Sequence, residues 1–161
     1  MIIKSILDTA VNDIKSFNCG NKDLDDFLKK YALRNDQNGY GKTFLMFDNE
    51  NLVGFFTISS SSIKYEEFPV NESLPRYPIP SIRIARLAVS KNFQGKGYGK
   101  ALLTQAFIKI LSVSDTIGIR LVVVDAKESS ASFYEKYGFK RLLGNKLSYY
   151  LLVDTLKKAI K

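Results

Sequence analysis

The sequence predicts an α/β domain, because short apolar runs typical of strands alternate with stretches of helical hydrophobic period. One such run ends at Ser90, and the stretch beyond the next turn places its apolar side chains on one helical face: Leu102, Leu103, Ala106, Phe107, Ile110 and Leu111. A second run, Leu121–Asp125, precedes a helical stretch from Ser129 to Tyr137 that Gly138 ends. The chain of 161 residues is long enough to bury about two thirds of its unfolded surface.

The first third of the chain predicts a strand, a helix and a hairpin. Residues Ile2–Leu7 alternate like a strand and lead into a polar segment, Asn12–Gly20. Asn21 then caps a helix with an acidic first turn, and its apolar face comprises Leu24, Phe27, Leu28, Tyr31 and Ala32. Two strand-like stretches, Thr43–Phe47 and Leu52–Ser59, flank a polar turn and indicate an antiparallel hairpin.

The remaining predicted elements are a loop, the strand–turn–helix region, and a short strand and helix at the C-terminus. All four prolines fall within Glu66–Pro80, which predicts a loop there. The long helix after the turn closes by Gly118, and Leu147–Val153 and Asp154–Ile160 predict a last strand and a short helix. Because neither repeats nor a linker interrupt this order, we expect one domain over residues 1–161.

Two absences in the composition exclude several classes of enzyme. The chain has no histidine, which rules out Ser-His-Asp and Cys-His nucleophiles, histidine general bases and histidine zinc sites. Cys19 is the only cysteine, so neither an internal disulfide nor a cysteine-rich metal site can form. Without a histidine partner, an inert thiol is a simpler interpretation of Cys19 than a nucleophile. We therefore expect chemistry supplied by an activated cosubstrate, and no metal.

The net charge of +8 has two interpretations. A basic surface can be merely solvated while favouring a polyphosphate ligand, or it can attract a nucleic acid through phosphate neutralisation. One basic cluster surrounds the turn after Ser90, and a second lies near the C-terminus and comprises Lys140, Arg141, Lys146, Lys157, Lys158 and Lys161. A polyphosphate bound at the first cluster would leave the second unexplained.

We expect a cytoplasmic protein with no membrane partner. The longest apolar runs, such as Leu121–Val124, are far too short for a membrane span. The N-terminal apolar run reaches Asp8 too soon for a signal peptide.

A glycine-rich turn separates the strand that ends at Ser90 from the following helix. Three glycines alternate along it and two lysines add positive charge: Gly95, Lys96, Gly97, Gly99 and Lys100. Bare backbone N–H groups and the positive end of a helix favour a phosphate or pyrophosphate there. A tight turn without a ligand is the alternative. The spacing fits neither the dinucleotide fingerprint nor a Walker A loop.

Two motifs in this region resemble those of the GNAT acetyltransferases. The turn fits the pattern Gln-x-x-Gly-x-Gly/Ala at Gln94–Gly99, and Ser132–Phe139 is similar to the family's second conserved segment. The resemblance implies a mixed, mostly antiparallel central sheet flanked by helices. It also implies an acetyl-coenzyme A-dependent N-acetyltransferase, in which a primary amine attacks the acetyl thioester directly in a ternary complex.

The resemblance also implies roles for individual residues. Backbone of the strand before the turn would pair with the pantetheine arm, and the turn would hold the pyrophosphate. The cosubstrate contacts implied are Leu87, Ala88, Val89, Gln94, Gly95, Lys96, Gly97, Tyr98, Gly99, Lys100 and Phe133. Tyr134 would be the general acid that protonates the departing thiolate, since a phenol with a pKa of about 10 keeps its proton at neutral pH. The alternative is that Tyr134 only packs against neighbouring aromatic rings.

The chain departs from the family pattern in two respects. The stretch Asp125–Ser129 lacks the asparagine that many members carry, and the strand Ile82–Val89 lacks the glutamate that often serves as general base. Asp125 could relay a proton through water or simply cap the end of its strand. A weak base suffices for an α-amino group, whose pKa of about 7.7–8.0 leaves it partly neutral at pH 7.

Four further segments resemble the GNAT-type toxins of bacterial toxin–antitoxin pairs: Phe17–Gly20, Leu24–Leu28, Gly41–Phe44 and Ala85–Val89. This resemblance implies acetylation of the α-amino group of aminoacyl-tRNA, and a small ribbon-helix-helix antitoxin as partner. It leaves a homodimer open. The alternatives are an acetyltransferase for a small amine or a protein N-terminus, and a non-catalytic protein that binds coenzyme A or RNA.

Overall fold

The structure is a computed structural model that describes residues 1–70 and 75–160. At the N-terminus, the first strands form an antiparallel ladder. The residues divide into two compact units, and strands or helices that cross the division belong partly to each. The first unit comprises Met1–Ser59 and Ala85–Phe107, and the second comprises Ser60–Ile84 and Ile108–Lys161.

In the first unit, strand β1 (Ile2–Ser5) pairs antiparallel with β2 (Lys42–Asp48), and β2 pairs antiparallel with β3 (Asn51–Ile63). The β2–β3 pair confirms the predicted hairpin. Its turn passes through Asn49 with a φ of 54°, a left-handed conformation that asparagine tolerates better than most residues. Strand β3 begins one residue before the predicted start and ends four residues beyond the predicted Ser59, because residues 60–63 continue it as part of the second unit.

Strand β1 ends earlier than the predicted Leu7. The side-chain oxygen of Ser5 accepts a hydrogen bond from the backbone N–H of Leu7 at 3.2 Å, and a 3-10 turn (Ile6–Asp8) follows. A single helical turn, α1 (Val11–Ile14), then lies where the sequence predicts only a polar segment. Four residues are too few for a helical period to show in the sequence.

The predicted helix after Asn21 is confirmed, and its path is less regular than expected. The Asn21 side chain caps α2 (Lys22–Asp26) by accepting a hydrogen bond from the backbone N–H of Leu24 at 3.1 Å. A π-helical turn (Phe27–Tyr31) leads from α2 into α3 (Ala32–Gln37).

The predicted loop Glu66–Pro80 is partly confirmed. A 3-10 turn (Tyr65–Glu67) begins it, and residues 71–74 lie outside the described residues. Strand β4 (Ile79–Val89) already includes Pro80, so the loop prediction is wrong at this end. Pro80 has no N–H to donate, but its carbonyl accepts a hydrogen bond from the backbone N–H of Arg120 at 2.9 Å.

The long helix predicted after the glycine turn is α4 (Tyr98–Ser114). In the second unit, β4 pairs parallel with β5 (Leu121–Asp125), which has the predicted bounds. Helix α5 (Ala131–Lys136) follows, and Gly138, with a φ of 94°, permits the left-handed turn beyond it.

The chain then forms β6 (Lys140–Arg141), β7 (Ser148–Leu152) and α6 (Val153–Ile160). Strand β7 pairs antiparallel with both β5 and β6. The two-residue strand β6 was not predicted, because so short a segment carries no period. The strand order is β1-β2-β3-β4-β5-β7-β6, which confirms the predicted α/β class with a mixed, mostly antiparallel sheet.

Each unit has its own apolar cluster of buried side chains. In the first unit, the cluster joins the N-terminal helices to the strands and comprises Ile6, Ile14, Phe17, Phe27, Leu28, Ala32, Leu45, Phe47, Phe55 and Ala88. In the second unit, it comprises Ile63, Phe68, Ile79, Leu121, Val123, Leu142 and Tyr150. Among residues 1–70 and 75–160, no helix combines the length and apolar character needed to cross a bilayer.

We predict that Gly54→Ala destabilises the protein. A Cβ on Gly54 in β3 would lie 2.7 Å from the carbonyl oxygen of Ala88 and 3.0 Å from Leu102 Cδ2, so the backbone would have to shift. We expect the free energy of unfolding, measured with urea, to fall by about 1–3 kcal/mol. Gly118→Ala is the matched control, because nothing lies within 4 Å of its added Cβ. Equal unfolding midpoints for the two variants would contradict the prediction.

Candidate active site

The turn that follows β4 is attached to the N-terminal part of the first unit by backbone hydrogen bonds. The N–H of Ser90 donates to the carbonyl of Val53 at 2.8 Å, and the N–H of Lys91 donates to the carbonyl of Asn18 at 2.8 Å. Both bonds reach chain segments far from the turn in sequence. They fix the point at which the chain leaves the sheet and enters the glycine-rich stretch.

Gln94 makes a second attachment through its side chain. Its Nε2 donates hydrogen bonds to the carbonyl oxygens of Cys19, at 2.8 Å, and Val89, at 2.9 Å. Both amide hydrogens are therefore in use. The side chain of Gln94 holds the turn in place rather than offering a donor to a phosphate, a role that the motif alone did not reveal.

The glycines of the turn are required by backbone conformation. Gly95 and Gly97 have φ values of 75° and 86°, in the left-handed region that L residues with a Cβ rarely adopt. An added Cβ would meet nothing within 4 Å at either position, so space is not the constraint. The alternation of left-handed residues lets successive N–H groups converge on one side, as in an anion-binding nest.

Six successive backbone N–H groups, from Gly95 to Lys100, have no acceptor within the described part of the chain. The last three belong to the first turn of α4, where helical N–H groups lack an intrahelical partner. The first regular bond of this helix end runs from the N–H of Ala101 to the carbonyl of Gly97 at 3.2 Å. This run of donors, with the ammonium groups of Lys96 and Lys100 exposed beside it, fits a pyrophosphate.

Tyr98 contributes a backbone donor to this run, while its side chain lies on the β2–β3 hairpin. Its hydroxyl donates a short hydrogen bond to the carboxylate of Asp48. That hydrogen bond raises the pKa of the Tyr98 phenol. The contact ties the start of α4 to the hairpin, and it was not predicted from the sequence.

The strand residues predicted to face the pantetheine arm lie at the C-terminal end of β4. The side chain of Ala88 is buried in the apolar cluster of the first unit, so only its backbone is available to a ligand. Leu87 and Val89 are half-buried, and the carbonyl of Val89 is already bound by Gln94. These positions agree with backbone recognition, the mode that the sequence predicts.

In the second unit, Tyr134 lies within an aromatic cluster on α5. Its side chain is 5% exposed, and its ring packs edge-on against Phe133 and Phe139, with centroids 5.2 and 5.5 Å away. Burial raises the pKa of the Tyr134 phenol to about 12. The hydroxyl therefore stays protonated at neutral pH and can act only as a proton donor to a departing anion. Half-buried Phe133 also packs against Tyr137, with centroids 5.1 Å apart.

Asp125, the weak candidate for a proton relay, is already engaged. Its carboxylate forms an ion pair with Arg83, and its Oδ1 accepts a hydrogen bond from the Ser148 hydroxyl at 2.9 Å. Arg83 also donates to the hydroxyl of Ser61 at 3.2 Å. Both contacts engage the carboxylate with structural partners. The geometry favours the other interpretation, in which Asp125 secures the end of β5.

A family model described as the acetyltransferase (GNAT) domain matches residues 39–141, which include the glycine turn and the whole of α5. The chain belongs to the GNAT acetyltransferases. The predicted enzyme class and acyl donor are confirmed with the family: this GNAT protein is an N-acetyltransferase that uses acetyl-coenzyme A.

One relative and two solved structures of the toxin AtaT are similar to this GNAT chain over most of its length. A tRNA-acetylating toxin of Mycobacterium tuberculosis (strain ATCC 25618 / H37Rv) is 35% identical over 132 residues, which are 80% of this chain and 79% of the toxin. The solved structure of AtaT complexed with acetyl-methionyl-tRNAfMet has a TM-score of 0.90 and 25% identity, and 99% of each chain is covered.

The third is a tyrosine-to-phenylalanine mutant of the AtaT toxin bound to the C-terminus of the antitoxin AtaR and acetyl-CoA. Its TM-score is 0.84 at 25% identity, covering 99% of this chain and 98% of the other. The predicted similarity to GNAT-type toxins is confirmed by these comparisons.

The first unit also contains a shallow cleft of about 600 Å³ beside the attachment of the turn, between α2 and Lys91. Lys22 in its wall is paired with Asp26 at 2.6 Å. Lys29 and Lys91, also in the wall, form no ion pair within the described residues. Their ammonium groups are therefore available to an anion in solution.

We predict that Gln94→Ala weakens acetyl-coenzyme A binding by about 10-fold. The variant loses both hydrogen bonds that hold the turn, each contributing about 0.5–1.5 kcal/mol, so the N–H groups lose their alignment. Isothermal titration calorimetry with acetyl-coenzyme A measures the effect. Asn92→Ala, which alters an exposed side chain of the same turn, should leave the affinity unchanged. An unchanged affinity in Gln94→Ala would show that the turn keeps its shape without the amide.

We predict that the buried phenol makes stability fall at high pH. The folded pKa of Tyr134 is raised from 10.0 to about 12, so the contribution is fully present below pH 10 and is lost as the pH rises towards 12. At about pH 11 wild type should have lost about 1 kcal/mol more than Tyr134→Phe, relative to each protein at pH 8. Urea unfolding at both pH values measures the difference, and parallel pH dependences would contradict it.

Proposed function

We propose that this GNAT protein acetylates the α-amino group of aminoacyl-tRNA. The observation that carries the proposal is the 35% identity to a tRNA-acetylating toxin over 80% of the chain. The similarity to AtaT complexed with acetyl-methionyl-tRNAfMet, over 99% of both chains, supports the same acceptor. The two motifs that would bind the acyl donor and supply the proton are complete in this chain, which argues against a non-catalytic protein.

In the proposed reaction, the donors from Gly95 to Lys100 hold the pyrophosphate of acetyl-coenzyme A. Hydrogen bonds to charged acceptors are about twice as strong as neutral ones, so this run of N–H groups supplies much of the affinity. Backbone at Leu87–Val89 aligns the pantetheine arm, and Phe133 provides an apolar contact. Acetyl-coenzyme A itself brings an activated thioester, which removes the need for a protein nucleophile.

Tyr134 is the proposed general acid. The α-amino nitrogen of the acceptor attacks the thioester carbonyl and forms the new C–N bond. The C–S bond then breaks, and the phenol gives its proton to the departing thiolate. After the attack the nitrogen carries a positive charge and loses its proton to water, and the phenolate of Tyr134 recovers a proton from solvent. The phenol is protonated at neutral pH, which is the state that a general acid requires.

Among the described residues, neither Asp125 nor β4 offers a free carboxylate as a base, which supports an acceptor of low basicity. Asp125 is bound by Arg83 and Ser148, and β4 carries no glutamate. An α-amino group with a pKa of about 7.7–8.0 is partly neutral at pH 7 and needs little help to lose its proton, whereas a lysine side chain at about 10.4 would need a base. The proposed aminoacyl group meets this requirement.

The charge of the chain supports a nucleic-acid substrate. The net charge is +8. The C-terminal basic residues Lys140, Lys146, Lys157 and Lys158 lie in the second unit and form no ion pair within the described residues. Such groups attract RNA by releasing counterions from its phosphates. Lys161, the last member of this cluster, lies outside the described residues.

We also propose a small ribbon-helix-helix antitoxin as partner and a cytoplasmic location. Support comes from the similarity to AtaT bound to the C-terminus of the antitoxin AtaR. An enzyme that modifies charged tRNA would meet its substrate in the cytoplasm. A homodimer stays a prediction of the sequence, as do the boundaries of a single domain over residues 1–161.

We expect Tyr134→Phe to lower kcat by about 10²–10⁴-fold while the Kd for acetyl-coenzyme A changes little. The substitution removes only the hydroxyl that donates the proton, and the aromatic packing remains. Tyr137→Phe removes a hydroxyl from the same segment and should retain wild-type turnover. If Tyr134→Phe turns over as fast as wild type, another group must protonate the thiolate.

We expect radiolabelled acetyl-coenzyme A to label charged tRNA in preference to free amino acids, polyamines and peptide N-termini. Each acceptor is tested at equal concentration, and uncharged tRNA is the control because it carries no α-amino group. Preferential labelling of peptides or polyamines would overturn the tRNA assignment and favour the corresponding alternative.

A further inference from the structure

Arg86 is a half-buried cation without a charged partner in the described structure. It lies in the C-terminal part of β4, next to the backbone proposed to align pantetheine. Its guanidinium carbon lies 3.7 Å from the centroid of the Phe27 ring, and Phe27 is itself buried in the apolar cluster of the first unit. Stacking on an aromatic face orients a guanidinium and leaves its N–H edge free.

Within residues 1–70 and 75–160, no carboxylate or other oxygen accepts a hydrogen bond from Arg86. Removal from water lowers the pKa of its guanidinium, which nonetheless stays charged at neutral pH. A partly desolvated cation that lacks an anion is costly in a folded protein, whereas Arg83, three residues earlier, has Asp125. An unmatched cation of this kind is typical of a site that receives its anion from a ligand.

The position of Arg86 on the strand limits which anion can reach its guanidinium. Side chains alternate along a strand, so Arg86 shares a face with Ala88, which belongs to the cluster formed by the N-terminal helices. Arg86 is about 10 Å along the strand from Val89, after which the pyrophosphate turn begins. The pyrophosphate already has six backbone donors of its own. The anion for Arg86 must therefore come from another part of the bound substrates.

The chemistry of the proposed acceptor identifies that anion. The carboxyl group of an amino acid attached to tRNA is esterified, so it carries no negative charge. Phosphodiesters are then the anions that the acceptor end presents, and a guanidinium binds a phosphate through two parallel hydrogen bonds.

We propose that Arg86, held in place by Phe27, binds a phosphodiester near the 3′ end of the aminoacyl-tRNA and so positions the aminoacyl group. This inference rests on the proposed function. It distinguishes the protein from an acetyltransferase for free amines, for which an anion site on this face of β4 would have no use.

Three acceptors that carry the same aminoacyl group test the proposal: charged tRNA, the charged trinucleotide of its 3′ end, and the aminoacyl ester of adenosine, which has no phosphate. For Arg86→Gln we expect kcat/KM to fall about 10- to 100-fold with the first two acceptors and to stay unchanged with the adenosine ester. Arg86→Lys keeps the charge but cannot form two parallel hydrogen bonds to one phosphate, so it should be more active than Arg86→Gln and less active than wild type. Phe27→Leu should show the same dependence on the acceptor in weaker form.

Arg34→Gln is the matched control for charge, because it removes one exposed guanidinium from α3 in the same unit. Its effect on charged tRNA should be small and should disappear at higher salt. The Kd for acetyl-coenzyme A, measured by calorimetry, should be the same in wild type and Arg86→Gln. A weaker Kd in that variant would mean that the anion belongs to the acyl donor, and would overturn the assignment.

The outcomes separate this inference from the proposed function. If wild type fails to acetylate charged tRNA, the proposed function falls and the inference with it. If wild type acetylates charged tRNA but Arg86→Gln is as active as Arg34→Gln, only the inference is overturned. An equal loss with all three acceptors would also overturn it, because a structural or catalytic defect does not depend on a phosphate.

Discussion

The donor-rich turn after β4 depends on one side-chain amide. Gln94 joins the end of its own strand to a carbonyl of the N-terminal segment, and both of its hydrogens are used in doing so. Together with the backbone bonds of Ser90 and Lys91, that attachment holds what the turn offers to an anion: two left-handed glycines, the first turn of α4 and a run of N–H groups with no acceptor among the described residues. In the proposed mode of binding, the backbone therefore makes most of the contacts to a pyrophosphate, and side chains fix the backbone in position.

Most features of the candidate site could be predicted because each is formed by residues close together in sequence. The glycine spacing, the change from strand to helical period and the segment Ser132–Phe139 each lie within a dozen residues, where sequence patterns reflect conformation directly. The contacts that hold this machinery are different. Gln94 and Cys19 are 75 residues apart, and Tyr98 and Asp48 are 50 apart, so only the folded chain shows that they meet. In each pair, nothing in the sequence around one residue indicates that it contacts the other.

The same reasoning explains the errors in secondary structure. Helix α1 has four residues and strand β6 has two, and segments so short show no hydrophobic periodicity in the sequence. Pro80 was assigned to a loop because proline cannot donate to a ladder, yet it lies near the start of β4, where an accepting carbonyl is enough. The sequence leaves two roles open for Asp125, a proton relay and the cap of its strand. Its contacts with Arg83 and Ser148 favour the structural role.

The π-helical turn Phe27–Tyr31 has an evolutionary consequence. A π turn amounts to one residue inserted into an α-helix, and such insertions cost stability and persist mostly where function needs them. Here the insertion begins at Phe27, whose ring stacks on the guanidinium of β4. A lineage that lost a single codon in this stretch would regain a regular helix and rotate the residues after the turn by about 100° relative to those before it. Length polymorphism at this point should therefore accompany a change in what the enzyme accepts.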